Sequence, residues 1–61
     1  MDIGDRVKVC WNYYKECETG ILDRYIESQD EPGYWLVNDE GEEFEVLFQD
    51  VFRGEVTIQN T

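Results

Sequence analysis

Five carboxylates, Asp39, Glu40, Glu42, Glu43 and Glu45, crowd seven consecutive positions, and two more, Asp30 and Glu31, stand a few residues upstream. Such a run can do one of three things: act as acid and base, ligate a hard cation, or meet a basic surface. Acid–base work needs a deep cleft to raise one of a pair of pKa values, and a chain of 61 residues can scarcely enclose one. Calcium ligation by an EF-hand loop with Gly41 in its sixth place would require an oxygen ligand in the first, where Leu36 stands, so that motif fails. A solvated acidic hairpin without a resident metal is expected. Attraction of a basic partner is the chemistry left to it.

The other reactive residue types are sparse. The chain has no His, hence no base poised near neutral pH and no Ser or Cys paired with one, and it has no glycine-rich phosphate loop. These features predict a non-catalytic protein without a cofactor. Cys10 and Cys17 are too few for a secreted disulfide framework and cannot complete a usual zinc site without His. They are read as two buried or half-buried thiols. A bond between them would close the Trp11 to Glu16 loop and stabilise by about 2.5 kcal/mol through loop entropy.

Aromatic residues offer a second candidate surface. An aromatic face attracts a cation at about 0.5–2 kcal/mol per well-placed ring, and Trp11, Tyr13, Tyr14 and Phe44 are the candidate rings. The alternative is that Trp11 and Phe44 belong to the core and the tyrosines cover its mouth. Tyr13, Tyr14 and Tyr34 are also candidate interface anchors, because tyrosine joins an apolar body to a polar tip.

Composition sets the frame. Fifteen Asp and Glu against five Lys and Arg leave a formal net charge of −10, a sign that repels phosphate and so argues against direct binding to nucleic acid or anionic membrane. The magnitude exceeds the ~2–8 that serves the solubility of a small domain. Disorder is the rival for so acidic a chain, but 41% hydrophobic and 15% aromatic residues supply core-forming area. One small domain covering residues 1–61 is expected. No apolar run approaches the ~18 residues of a membrane span, and Met1 to Asp5 lack the features of a secretory signal, which predicts a cytoplasmic setting.

The elements that must position these residues read as strands. Val7, Val9 and Trp11 alternate with Arg6, Lys8 and Cys10, the period of a half-buried strand. Thr19-Gly20 opens a second strand, Ile21 to Glu27, whose broken alternation predicts a bulge. Asp30-Glu31-Pro32-Gly33 is a turn in which Gly33 takes a positive φ, and Tyr34 to Val37 is strand three. Asn38-Asp39-Glu40-Gly41 turns again, with Gly41 in the left-handed position. Strand four places Phe44, Val46 and Phe48 inside. A short 3₁₀ turn over Gln49 to Phe52 precedes a last strand, Val56 to Ile58, and a frayed tail, Gln59 to Thr61.

Five short strands in so short a chain predict an all-β fold, a small, strongly bent antiparallel barrel. Gly4-Asp5-Arg6-Val7-Lys8-Val9, Thr19-Gly20-Ile21, Tyr34-Trp35-Leu36-Val37 and Phe44-Glu45-Val46 leading into Asp50-Val51 resemble the strand pattern of SH3-like barrels. Tudor domains, KOW-type modules and the photosystem I reaction-centre subunit IV share that layout. The Tudor resemblance implies a Lys- or Arg-binding pocket, to which the loop between strands one and two would bring Trp11, Tyr13 and Tyr14 and the region between strands three and four Asp39, Glu40 and Phe44; the photosystem resemblance implies a structural subunit. KOW modules carry basic residues for RNA, which this acidic chain contradicts.

The expected function is that of a non-catalytic protein-binding module. Its acidic face, Asp30, Glu31, Asp39, Glu40, Glu42, Glu43 and Glu45, would engage a basic patch on a partner protein. A nucleic-acid charge mimic, such as a phage-type inhibitor, is its concrete form. An aromatic-pocket module and a docked structural subunit are the alternatives.

Overall fold

The structure is a computed structural model that describes all residues from Met1 to Thr61. Five strands, β1 (Arg6–Trp11), β2 (Glu16–Ile26), β3 (Gly33–Asn38), β4 (Glu43–Leu47) and β5 (Val56–Asn60), form one antiparallel sheet in the order β4-β3-β2-β1-β5. One helical turn, α1 (Phe48–Phe52), joins β4 to β5.

Each strand turns its apolar set to one side because its side chains alternate. Val7, Val9, Leu22, Leu36, Val46 and Val56, drawn from all five strands, form the buried core. Trp11, Tyr34, Phe44, Val51 and Ile58 pack around it half-buried. With one helical turn as the only other element, a flat sheet would leave its apolar face bare, yet Val7, Val9, Leu22 and Leu36 are fully buried, so the sheet curls around its core. It does not close: β4 and β5 exchange no hydrogen bonds and each leaves a free edge, where the sequence predicts a barrel.

The bulge expected in β2 is present. Leu22 pairs with Leu36 and Arg24 with Trp35, which leaves Asp23 as the extra residue. Without it, the alternation of Ile21-Leu22 and Tyr25-Ile26 could not keep both Leu22 and Tyr25 on the concave side. Gly41 takes φ 82° as its turn requires.

Gly33 departs from expectation, since it is not among the residues with positive φ. It opens β3, and a Cβ there would overlap the Val46 carbonyl and stand 2.8 Å from the Leu47 Cα. Close approach of β4, rather than turn conformation, demands glycine.

Four further expectations are corrected. The segment before β5 is α-helical, with the Arg53 and Gly54 amides bonding back to Gln49 and Val51. Phe48 begins that helix and is 39% exposed, because β4 ends one residue earlier and its alternation stops. Gln59 and Asn60 belong to β5, paired with Lys8 and Val7. Cys10 and Cys17 face each other across β1 and β2 and are joined by a disulfide.

Candidate protein-binding surface

The acidic hairpin is organised by a residue that carries no charge. Asn38 ends β3, is buried, and pairs with Gly20 of β2. Its Oδ1 accepts the amides of Glu40 and Glu42 at 3.0 and 2.9 Å. Its Nδ2 donates to a carboxylate oxygen of Glu18 at 2.9 Å and one of Glu42 at 3.1 Å. One side chain therefore satisfies the backbone of the turn and holds two acids that would otherwise repel. The backbone closes the same turn, with the Gly41 amide bonded to the Asn38 carbonyl at 3.0 Å.

Asp39, Glu40, Glu42, Glu43 and Glu45 are all exposed. Asp39 pairs with Arg6 at 3.0 Å, with both side chains at least half-exposed, a contact worth about 0–1 kcal/mol at most. Glu43 accepts the indole N–H of Trp35 at 2.7 Å. The guanidinium of Arg24 lies 4.7 Å from the ring centre of the same tryptophan. Arg24, Trp35 and Glu43 thus run in a row across β2, β3 and β4 on the convex face. Glu45 stands opposite Trp35 in the register and has no cationic partner.

Asp30 and Glu31 are exposed too, but in the turn at the other end of β3. The length of that strand separates them from Asn38 by about 17 Å along the sheet. The seven acidic residues therefore form two groups, and the larger follows the β3–β4 turn and the β4 edge.

The aromatic residues are also divided. Trp11 and Phe44 meet with tilted rings, centroids 5.7 Å apart, and pack against the core. Tyr13 and Tyr14 meet edge to face at 5.1 Å on the β1–β2 loop, 85% and 70% exposed. Tyr34 lies between Tyr25 and Phe48, at 5.8 and 4.8 Å, and the Tyr25 hydroxyl donates to the Met1 carbonyl. No enclosed pocket gathers these rings, and no three acidic or thiol side chains converge as a metal site would require.

Sequence reasoning missed Asn38, Glu18, Trp35 and Arg24. Asparagine at the head of an Asn-Asp-Glu-Gly turn does signal a side chain that bonds forward to its own backbone. Glu18 carried no such signal, because only the β2–β3 pairing brings it to Asn38.

One titration is displaced, at Asp5 just before β1. The Asp5 carboxyl lies below its ordinary value, chiefly because it accepts the Asp2 amide, then the Asn60 side chain, with the N-terminal charge adding a smaller effect. Comparison with known protein families, curated proteins and solved structures gives no match.

Proposed function

We propose that this chain is a non-catalytic protein-binding module that engages a basic surface of a partner through the acidic β3–β4 hairpin. The observation that carries the proposal is the local imbalance of that hairpin. Five exposed carboxylates between Asp39 and Glu45 make a single ion pair, that of Asp39 with Arg6. Charge that the fold does not neutralise is available to a partner, and it speeds and orients encounter. Competition with nucleic acid for a basic cleft is the specific form of that activity. The curled sheet with α1 across its open side supports an SH3-like arrangement, and the exposed Tyr13–Tyr14 pair supplies apolar anchors at a second point.

The test is recovery of partners from the native host across a salt series. Basic proteins retained at low salt and released by high salt are expected, together with loss of retention when Glu42, Glu43 and Glu45 are changed to Gln. Retention of neutral or acidic partners that survive high salt would overturn the proposal. A cytoplasmic site is retained as part of it. Because a disulfide persists where the surroundings are oxidising, the redox state of Cys10 and Cys17 in host extracts tests that placement.

A further inference from the structure

The two free edges of the sheet differ in what they offer another strand. Asn38 and Glu42 are hydrogen-bonded across the β3–β4 pair, and the Phe48 amide bonds to the Pro32 carbonyl at the far end. With antiparallel alternation between these points, Phe44 and Val46 spend their backbone groups on β3. The N–H and C=O of Glu43 and Glu45 then point out from the sheet. No backbone or side-chain group bonds to these four. Their side chains sit on the convex face without an ion pair, and Glu43 accepts only the Trp35 indole N–H.

We propose that the β4 edge takes up an extended basic segment of the partner as a sixth strand, with Lys or Arg at alternate positions facing Glu43 and Glu45. The inference rests on the acidic-surface function above and specifies how that surface is read. Backbone pairing supplies affinity without sequence preference, and alternate side chains supply the choice. Residues directly opposite Glu43 and Glu45 lie within about 4.5–5.5 Å at Cβ, close enough for opposite charges to add to the pairing. The residue between them falls on the concave side next to Phe44, which is half-buried and favours an apolar neighbour. The occupant therefore has a basic–apolar–basic pattern.

The same two glutamates exclude the competing occupant. A second copy pairing β4 antiparallel with β4 about Phe44 would set Glu43 of each copy against Glu45 of the other, and like charges directly opposite are destabilising. At the other edge, β5 presents Val56, Thr57, Ile58, Gln59 and Asn60, none of them charged. That edge has no means of selecting a basic strand.

The experiment uses the whole isotopically labelled chain and two capped peptides that alternate Lys with Val or Thr. One peptide is unmodified; the other is methylated on the backbone nitrogen of each Lys, which keeps every charge and removes the donors aimed at β4. The unmodified peptide should bind, shift the amide signals of Glu43 to Leu47 and slow exchange of the Glu43 and Glu45 amides. Methylation should weaken binding about tenfold or more, the equivalent of one or two lost hydrogen bonds. Equal binding of both peptides would overturn the sixth-strand inference and leave the acidic surface standing. Failure of both peptides to bind would overturn the inference and the acidic-surface function together. Concentration-dependent protection of the Glu43 and Glu45 amides without peptide would assign the edge to a second copy instead. As a second measurement, Glu43→Lys with Glu45→Lys should switch preference to the matching Glu peptide, with the melting transition checked beside it. A retained preference for the Lys peptide would also overturn the inference.

Discussion

The β1–β2 and β3–β4 hairpins both end in loops of candidate binding residues, yet they are held by different means. Asn12 to Lys15 connects β1 to β2, with Lys15 at φ 57° and its amide bonded to the Trp11 carbonyl. That hairpin is fastened covalently by Cys10–Cys17, one residue pair below the Trp11–Glu16 pair that closes it. The β3–β4 turn has no covalent tie and is fastened by the four hydrogen bonds of Asn38. The difference is thermodynamic as well as chemical. A disulfide acts mainly by restricting the unfolded chain, whereas Asn38 acts by satisfying polar groups of the folded one. The exposed tyrosines can thus be presented on a fixed loop, while the acidic turn is held within itself by three of the Asn38 bonds and tied to β2 by the fourth, to Glu18.

The largest effect is expected from the covalent tie. Reduction, or Cys10→Ser with Cys17→Ser, should lower stability by about 2.5 kcal/mol on the loop-entropy estimate. Denaturant unfolding with and without reductant measures it, and coincident curves would remove the contrast between the hairpins.

Asn38→Ala should cost about 1–2 kcal/mol, since the Glu40 and Glu42 amides lose their acceptor but can reach water in an exposed turn. Its mark should be faster amide exchange confined to the β3–β4 turn. Asn38→Asp sharpens the point by placing a third carboxylate beside Glu18 and Glu42. It should be less stable than the alanine variant at neutral pH and recover as pH falls toward about 4.

A smaller effect belongs to Asp5. Its folded pKa lies below its ordinary value of 3.8, so its contribution is present above that value and is lost as pH falls through the lower, folded one. Asp5→Asn should remove that part of the acid limb and leave the neutral region nearly unchanged; a melting series from pH 2 to pH 7 tests it. The smallest change in stability is expected for Tyr13→Ala and Tyr14→Ala, within about 0.5 kcal/mol, as for exposed positions generally. A larger loss would show that the β1–β2 loop is packed more firmly than its exposure indicates.

Particular residues mark how far the sequence could be read. Val7, Val9 and Trp11 declared β1 by their period, and Ile21-Leu22 with Tyr25-Ile26 declared the bulge, because a strand has only two faces and a broken alternation needs an extra residue. Gly41 declared its turn by its freedom to take a positive φ. Gly33 was misread, since closeness to Val46 and Leu47 depends on β4, a strand ten residues away. Phe48 was misread because its alternation continues across the point where the backbone becomes helical. The candidate acidic residues were legible as two turns flanking the third strand, but the bond by which Asn38 ties the larger of them to Glu18 was not.

By itself, then, the sequence determined the strand periods, the turn chemistry and a charge excess that no internal cation can balance. These are local or additive properties, fixed by each residue and its near neighbours. Tertiary structure alone decided that Cys10 meets Cys17, that Glu18 reaches Asn38, that the sheet stays open between β4 and β5, and that Glu43 and Glu45 lie on a free edge. Each depends on the register between strands, and register is set by the joint burial of Val7, Val9, Leu22, Leu36, Val46 and Val56, a condition that no single segment contains.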